Sequence, residues 1–349
     1  MMTGVCNDAV MQQRLGRVML ADGTGLSYAS LGAGRPLVYV MGWLTHLQVS
    51  WEFSAERALY EALAQGCRLV RYDRAGCGLS SPTARPPSLT FELEQLAAVA
   101  STLGTESFDL MGTSLGAPVA VAWAAAHPET VRRLVLFGGW ARGADLSPPA
   151  VQANLLGLIE SHWGLGSDVL TNIFVPDLDS SMRNEFARYQ REASSAATAR
   201  ALLAMSYQLD VTDLLARVQA PTLVVHRAHD RAAPATQAKA LADGIRDSEL
   251  VMLAGRSHLP YVGDRDEVVR VVRRFLGLPA RRRRVDELTA RQHEVASLVS
   301  QGCTNREIAT RLGIDERSAE GHVERIRMRL GFRSRSQIAA WFTAQRNQS

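Results

Sequence analysis

A regular alternation of short β-branched runs with helical segments is the feature that most constrains the fold. Eight such runs are present, at 17–20, 26–30, 36–41, 67–72, 108–111, 133–137, 222–226 and 249–253. Their lengths suit buried strands, and most of the segments between them are long enough for a crossover helix. This order is typical of a mostly parallel sheet, opened here by a short hairpin, and it therefore predicts an α/β fold.

The alternation breaks between the sixth run and the seventh. From about residue 141 to 217 the strand signal is absent and the composition is helical, which predicts a helical lid inserted into the sheet-forming unit. A helix at 264–276 should close this unit. Its apolar residues fall on one face: Val268, Val271, Val272 and Phe275. Gly277 and Pro279 are typical of the end of such a helix.

Length and charge indicate a second, smaller domain after this unit. A chain of 349 residues is longer than one hydrophobic core usually spans. From Arg281 onward there are 14 arginines against 8 acidic residues, a net charge of +6, which leaves −2 for the preceding residues. We predict a large domain at 15–278, a basic linker at 279–286 and a second domain at 287–349. The linker's run of four arginines serves as a solvated hinge or contacts phosphates.

Signals of secretion, membrane insertion and metal binding are missing from the sequence. The first 16 residues have no apolar segment, and no stretch approaches the roughly 18 apolar residues of a membrane span. The four cysteines lack C-x-x-C spacing: Cys6, Cys67, Cys77 and Cys303. They fit free thiols in a reducing cytosol better than a disulfide frame or a zinc site. We expect a cytoplasmic protein with no metal, no cofactor and no membrane contact.

A glycine-flanked serine lies between the fifth predicted strand and the helix that follows it. Gly112 to Gly116 matches G-x-S-x-G, with Ser114 at its centre, and the segment 115–126 has helical composition. A sharp turn from strand to helix exposes such a serine, and the glycines avoid collisions that a Cβ would cause. The motif alone is a weak signal, because composition yields it by chance.

The partners that an activated serine needs follow in a suggestive order. A serine nucleophile requires a base to take its proton and a carboxylate to orient that base. Asp230 comes just after the seventh run and His258 just after the eighth, so the chain order is Ser, Asp, His. We predict Ser114, Asp230 and His258 as the catalytic residues. Asp145, shortly after the sixth run, is an alternative carboxylate.

Two backbone N–H groups are predicted to stabilise the charge that develops on a substrate oxygen. They belong to Leu115, which follows the nucleophile, and to Trp43, at the end of the third run. The lid contributes large apolar side chains: Trp140, Trp163, Leu156 and Met182. They suggest an apolar pocket for a small-molecule ligand or substrate.

Residues 15–278 resemble an α/β-hydrolase of the peroxidase/esterase-like branch. The segment 72–80, which reads YDRAGCGLS, is similar to the family's D-x-R-G-x-G-x-S turn. The segment 42–46, together with Trp51, resembles the variant found where such domains are fused to signalling modules. The resemblance implies that His46 and Trp51 line the mouth of the pocket. A core tryptophan and a surface histidine are the alternatives.

From Glu287 onward the sequence changes to short helices with marked starts. Three segments match the capping box, in which a hydroxyl residue and the residue three positions later bond each other's backbone: 289–292, 304–307 and 334–337. Asp315 caps a further helix, and Gly313 with Ile314 makes a tight turn before it. That helix is apolar on one face, at Ala319, Val323, Ile326 and Leu330. Its polar opposite face predicts a helix-turn-helix that can enter the major groove of DNA.

The stretch 287–341 closely resembles the LuxR-type (GerE-like) DNA-binding domain. The similar segments are 288–295, 302–309, 312–314, 322–323 and 330–331. The resemblance implies double-stranded DNA as a partner and a homodimer formed through the fourth helix, 334–345. In that helix Ile338 and Trp341 would be the apolar dimer contacts, and packing against the domain's first helix is the alternative for either residue.

The residues predicted to face DNA lie on the second and third helices of this domain: Thr304, Arg306, Arg317, Ser318, Glu320, Gly321, Glu324 and Arg325. We expect phosphate contacts from the basic and hydroxyl residues, and also from Arg333 and Arg335. The family commonly has a basic residue at Glu320 and often at Glu324. Since a glutamate can accept a hydrogen bond from cytosine N4, we expect an altered sequence preference rather than lost binding.

Three hypotheses follow for the whole chain, an α/β-hydrolase fold with a helical lid followed by a small all-α helix-turn-helix domain. In the first, a small molecule in the hydrolase pocket shifts a transcriptional regulator between DNA-competent and incompetent states. In the second, the chain is a working esterase-like serine hydrolase with a DNA-binding tail. In the third, a silent hydrolase fold serves only as a dimerisation scaffold.

Overall fold

A computed structural model describes residues 11–279, 288, 290–330 and 332–346, with the side chains at 290, 345 and 346 left out. Cys6, the predicted cap at Thr289 and the arginine run of the linker lie outside the described residues. Contacts divide the chain into two units, residues 1–280 and 281–349. Each unit is described by itself.

An eight-stranded sheet forms the centre of the first unit. The strands are β1 (Arg14–Met19), β2 (Gly25–Gly32), β3 (Pro36–Val40), β4 (Arg68–Tyr72), β5 (Phe108–Thr113), β6 (Val131–Phe137), β7 (Thr222–Arg227) and β8 (Ser248–Leu253). Their order across the sheet is β1-β2-β4-β3-β5-β6-β7-β8. The β1–β2 and β2–β4 pairs are antiparallel and the other pairs are parallel. The predicted α/β fold with its opening hairpin is confirmed.

Helices cover both faces of this sheet. The helices outside the lid are α1 (Leu47–Glu52), α2 (Ser54–Ala64), α3 (Leu89–Ser101), α4 (Gly116–Ala126), α9 (Ala235–Gly244) and α10 (Arg265–Phe275). One apolar core joins α2 and α10 to one face of the sheet, and a second core joins α3, α4 and α9 to the other. This double covering explains why the central strands are buried along their whole length.

The lid forms as predicted between β6 and β7. It contains α5 (Pro149–Ser161), α6 (Trp163–Phe174), α7 (Ser180–Ala193) and α8 (Ala196–Gln208), with short 3-10 helices at Gly143–Asp145 and Thr212–Arg217. Residues 138–221, all of which the structure describes, form no strand. A third apolar core packs the lid against Trp43, Leu44 and Leu115, so the lid closes over the carboxyl ends of the strands.

The described part of the second unit contains four helices: α11 (Ala290–Ser300), α12 (Asn305–Leu312), α13 (Glu316–Arg329) and α14 (Arg335–Arg346). The capping box at Thr304 and Glu307 is complete, and Ser334 and Gln337 also bond each other's backbone. Asp315 caps α13, and Gly313 takes the left-handed conformation that turns the chain between α12 and α13. Among the described residues of the chain, no helix is long and apolar enough to cross a bilayer.

Candidate active site and DNA-binding surface

Ser114 lies on a sharp turn between β5 and α4. Its φ of 55° is the only positive value among the described non-glycine residues. Such a backbone conformation is strained for a side chain and typically persists where the surrounding structure holds it. Gly116 allows the turn to approach β3, because a Cβ on that residue would lie 2.0 Å from the carbonyl oxygen of Val40. The glycine-flanked motif therefore fits the geometry that the turn requires.

The structure brings the three predicted catalytic side chains together. Nε2 of His258 lies 2.8 Å from Oγ of Ser114, and Nδ1 of His258 lies 2.7 Å from Oδ2 of Asp230. Ser114 and His258 are buried, with 8% and 2% of their surface exposed. This arrangement lets the imidazole take the serine proton while the carboxylate fixes its orientation.

Asp230 is held ready to pair with an imidazolium. Its Oδ1 accepts hydrogen bonds from the backbone N–H groups of Ala232 and Ala233, at 2.8 and 3.3 Å. Burial raises the pKa of this carboxyl, but the charge and hydrogen bond of His258 outweigh burial and hold the pKa below its usual value. Asp145 is exposed, and Nδ1 of His258 is already bonded to Asp230, so the alternative carboxylate has no role in this geometry.

The loop that carries His258 is braced by an arginine that the sequence did not single out. Arg227, at the end of β7, donates from Nη1 to the carbonyl oxygens of Ser257 and Leu259, at 2.8 and 2.7 Å. The backbone N–H of His258 donates to the carbonyl of Phe174 in the lid. The base is therefore fixed by the sheet on one side and by the lid on the other.

The two predicted oxyanion donors lie beside the serine. Among the described residues, neither the N–H of Trp43 nor that of Leu115 donates to a protein acceptor. A Cβ on Gly42 would lie 3.7 Å from Cβ of Ser114, which places the Gly42–Trp43 peptide next to the nucleophile. Both N–H groups are thus available to a substrate oxygen.

A buried ion pair holds the peptide that carries the first of these donors. Nη2 of Arg74 donates to the carbonyl of Met41 at 3.0 Å, and Nη1 donates to the carbonyl of Gly42. Nε of the same guanidinium lies 2.8 Å from Oε2 of Glu92, and both side chains are 2% exposed. Arg74 therefore acts as a positioning residue for the oxyanion loop. The turn at 72–80 was the signal in the sequence, but its residues alone do not reveal what Arg74 contacts.

Two cavities meet at the nucleophile, and both are bordered by Trp43, Ser114, Phe174 and His258. The lid cavity, of about 130 Å³, extends among apolar side chains of the lid, including Trp140, Leu146, Val151, Leu155, Leu170, Ile173 and Leu203. The deep cavity, of about 40 Å³, extends toward α2 and α7, where it meets Glu56, Tyr189, Gln190 and Tyr261. A bound carbonyl compound can therefore place one arm on each side of the serine.

The residues predicted to line the pocket lie at different places in the structure. Trp140 lines the lid cavity, whereas Trp163 lines neither cavity and packs edge-to-face on Trp43, with the ring centroids 6.2 Å apart. His46 lines neither cavity; its ring accepts a hydrogen bond from the N–H of Val49 and caps α1. Trp51 packs, half-buried, against the apolar core on the α2 face. Neither His46 nor Trp51, which were predicted to line the pocket mouth, is among the residues that border the two cavities.

Four arginines of the second unit have guanidinium groups without a partner among the described residues: Arg306, Arg317, Arg325 and Arg333. All four are exposed, together with Thr304 and Glu320. Half-buried Gly321 and Ser318 lie on the same helix, α13. Unpaired exposed guanidinium groups are suited to phosphate contacts.

Three residues assigned to DNA or to the dimer make contacts within the unit instead. Glu324 forms an ion pair with Arg327 at 2.7 Å. Arg335 donates to Asn305 at 2.7 Å and to the carbonyl of Cys303, so its guanidinium ties α14 to the start of α12. Ile338 is fully buried in the unit's own core, which leaves no surface for a dimer contact.

The sheet, the serine elbow and the helix-turn-helix together define the class: a serine-hydrolase fold joined to a DNA-binding unit. A family model described as the alpha/beta hydrolase family matches residues 33–271, and one described as bacterial regulatory proteins of the luxR family matches residues 286–342. The chain belongs to the alpha/beta hydrolase family, and it ends in a luxR-family DNA-binding domain.

Individual relatives agree with this assignment over the first unit. A pyrrolizixenacetamide deacetylase from Xenorhabdus hominickii is 28% identical over 257 residues, 72% of this chain and 94% of the relative. A 2-hydroxy-6-oxononadienedioate/2-hydroxy-6-oxononatrienedioate hydrolase from Pseudomonas putida is 30% identical over 246 residues, 67% of this chain and 85% of the relative. The crystal structure of a bromoperoxidase from Bacillus anthracis superimposes with a TM-score of 0.68 at 20% identity, covering 76% of this chain and 100% of that chain, and shows the shared fold.

Proposed function

We propose that this chain is a cytoplasmic, homodimeric transcriptional regulator in which a small carbonyl compound at Ser114 controls DNA binding by the luxR-family domain. The observation that carries the proposal is an assembled Ser114–His258–Asp230 triad that borders two cavities, in a chain that also has a DNA-binding domain. The lid cavity favours an apolar arm on the ligand.

The same geometry supports turnover of the ligand. Oγ of Ser114 attacks the carbonyl carbon while Nε2 of His258 takes the hydroxyl proton. The N–H groups of Trp43 and Leu115 stabilise the oxyanion, and the imidazolium then protonates the leaving group. Water, deprotonated by His258, releases the acyl group and restores the serine. One relative is named as a deacetylase of an acetamide, which favours amides as substrates. Another is named as a hydrolase of an oxo compound, which favours substrates that contain a carbonyl group.

A labelling experiment tests whether Ser114 of this triad reacts as a nucleophile. A fluorophosphonate should label the wild-type chain and fail to label Ser114→Ala, which keeps its fold because this hydroxyl contributes chemistry rather than packing. Ser206→Ala is the matched control: Ser206 also lines the lid cavity, but its hydroxyl bonds only to the carbonyl of Leu202, so labelling should persist. An unlabelled wild-type chain would contradict both the proposal and the alternative of a working hydrolase with a DNA-binding tail.

The homodimer should form through the exposed face of α14. Ala340, Thr343 and Ala344 are exposed on this helix, whereas Ile338 points into the core. Small side chains allow two helices to approach closely. Sedimentation of the full chain should show a dimer that Ala340→Glu weakens, and a monomer at all concentrations would contradict this part of the proposal.

A further inference from the structure

The deep cavity ends in polar side chains that the reaction at Ser114 does not use. Glu56, Tyr39 and Gln190 line it on the side away from the lid cavity, and each is at least 95% buried. Buried polar groups are costly unless they are hydrogen-bonded, so a polar end to a small enclosed cavity requires an explanation.

The side-chain amide of Gln190 includes an acceptor that has no partner among the residues that the structure describes. Its Nε2 donates to the carbonyl of Ser167 at 3.0 Å and to the hydroxyl of Thr171 at 2.8 Å. A carbonyl can only accept, so the amide nitrogen must face Ser167 and the amide oxygen is turned away from it. That oxygen, Oε1, is buried and unpartnered. No described residue supplies a donor to this oxygen, and the side chain that carries it borders the deep cavity.

The carboxyl group of Glu56 is a second acceptor at this end of the cavity, and its surroundings keep it close to neutral. The hydroxyl of Tyr60 donates to Glu56, and the guanidinium of Arg71 lies 3.6 Å from the centre of the Tyr60 ring. Burial raises the pKa of Glu56 to about 7, against the opposing effects of Tyr60, Arg71 and Tyr261. With a fully buried arginine close by, a cationic group would add a second uncompensated positive charge. An uncharged donor fits this end of the cavity better.

We propose that the deep cavity is a specificity subsite for an uncharged hydrogen-bond donor, an amide N–H or a hydroxyl, carried on a short arm of the ligand. The subsite rests on the proposed function, since it requires the ligand's carbonyl to lie at Ser114. The volume of about 40 Å³ limits this arm to a few heavy atoms, whereas the lid cavity takes the longer apolar arm. Glu56 is the acceptor that selects the donor, and Gln190 borders the same end of the cavity.

A pair of boronic acids of matched shape tests the subsite without requiring turnover. In each, Oγ of Ser114 adds to boron and gives its proton to His258, and no bond to carbon breaks. Acetamidomethylboronic acid carries an N–H where 3-oxobutylboronic acid carries a CH₂, and both carry the same carbonyl group. We expect the acetamido compound to bind the wild-type full chain about tenfold more tightly by calorimetry, the value of a hydrogen bond to a buried, partly charged acceptor.

Variants of Glu56 assign the preference to the subsite. Glu56→Gln, which keeps an acceptor for Tyr60, should reduce the preference severalfold, and Glu56→Met should abolish it. Binding of 3-oxobutylboronic acid in each variant shows that the site remains folded. Leu155→Ala, in the lid cavity, is the matched control and should leave the ratio of the two affinities unchanged.

Three results would overturn the subsite. Equal affinities in the wild-type chain, or a preference that survives in Glu56→Met, would show that no donor is recognised at Glu56 while leaving the proposed function intact. Failure of both boronic acids to bind the wild-type chain would instead remove the reactive serine, and with it both the proposed function and the subsite.

Discussion

Single residues at this site are held in states that a free side chain would avoid. Ser114 has a positive φ, and Glu56 is a carboxyl group enclosed among tyrosines and apolar side chains. Both states cost free energy of folding, and both lie beside the two cavities. Such costs commonly persist at sites where they serve a function.

Burial of Glu56 should make folding pH-dependent in the direction opposite to that of most carboxyl groups. Its pKa rises from 4.5 to about 7 on folding, so the folded protein binds this proton more tightly than the unfolded chain. The contribution is fully present below pH 4.5 and is lost as the pH rises to about 7, about 3 kcal/mol in all. Relative to the wild type, Glu56→Gln should therefore gain stability as the pH rises from 5 to 8.

Urea unfolding followed by tryptophan fluorescence measures this difference at each pH. Glu52→Gln is the matched control, since Glu52 lies four residues earlier and is exposed. A constant difference between Glu56→Gln and the wild type across this range would show that Glu56 is not buried as a proton-binding group.

At the scale of elements, the site depends on how β3, β5 and the loops after β7 and β8 end at one edge of the sheet. The ends of parallel strands converge there, and the lid and its third apolar core close the edge from above. The ion pair of Arg74 with Glu92, a residue of α3, joins the turn after β4 to the end of β3. The precise path of one loop therefore depends on three elements.

Variants that remove this ion pair should affect the stability of the first unit and the reactivity of Ser114 separately. Arg74→Met leaves Glu92 buried without a cationic partner and should destabilise the first unit by about 3–5 kcal/mol. The double variant Arg74→Met/Glu92→Leu should recover much of that loss, because an apolar pair replaces the charges. Fluorophosphonate labelling of the double variant should still be about tenfold to a hundredfold slower, since the carbonyls of Met41 and Gly42 have lost their donor.

Arg35→Met is the control for that experiment. Arg35 pairs with Asp109 at 2.8 Å, at the opposite end of β3. Its loss should lower stability without slowing the labelling. A normal labelling rate in the double variant would show that Arg74 is structural only.

Within the DNA-binding domain, two residues of α13 should act differently on DNA. Arg325→Ala removes an unpaired guanidinium and should weaken binding to all sequences, with the slope of log K against log salt reduced by about 1 for each protomer. Glu320→Ala should change which sequence is preferred. Selection from a random DNA library and salt titrations distinguish the two effects, and equal losses across all sequences for both variants would contradict the assignment.

At the scale of the whole molecule, occupation of the hydrolase site must alter the affinity for DNA if the proposed function holds. A ligand does so only when it binds the DNA-competent and incompetent states with different affinity. Modification of Ser114 by a fluorophosphonate should change the dissociation constant for an operator fragment by about fivefold or more, the usual lower range of such coupling. Ser114→Ala treated in the same way should show no change.

The same measurement distinguishes the remaining alternative. An unchanged affinity for DNA after complete modification, together with no response of that affinity to boronic acids, would favour a working hydrolase with a DNA-binding tail, because a serine that the fluorophosphonate modifies is reactive. Modification should be verified by mass, so that an unchanged affinity cannot result from incomplete labelling.

Features that depend on local chemistry could be predicted from the sequence alone. Strand and helix periodicity, the glycines around Ser114, the caps at Thr304 and Asp315 and the chain order of the triad all arise from residues close together in sequence, so pattern analysis found them. The eight strands and the helical lid were predicted for this reason, and so were the four helices of the DNA-binding domain.

Contacts between side chains far apart in sequence became visible only in the tertiary structure. It left His46 and Trp51 outside the lining of both cavities, gave Arg335 and Ile338 contacts within the second unit, and brought Glu56 and Gln190 to the deep cavity. A carboxyl group and a tyrosine four residues apart on the apolar face of α2 were the only local sign of that cavity. Contacts of this kind depend on how helices far apart in sequence pack over one edge of the sheet, and the pattern within any one segment does not record them.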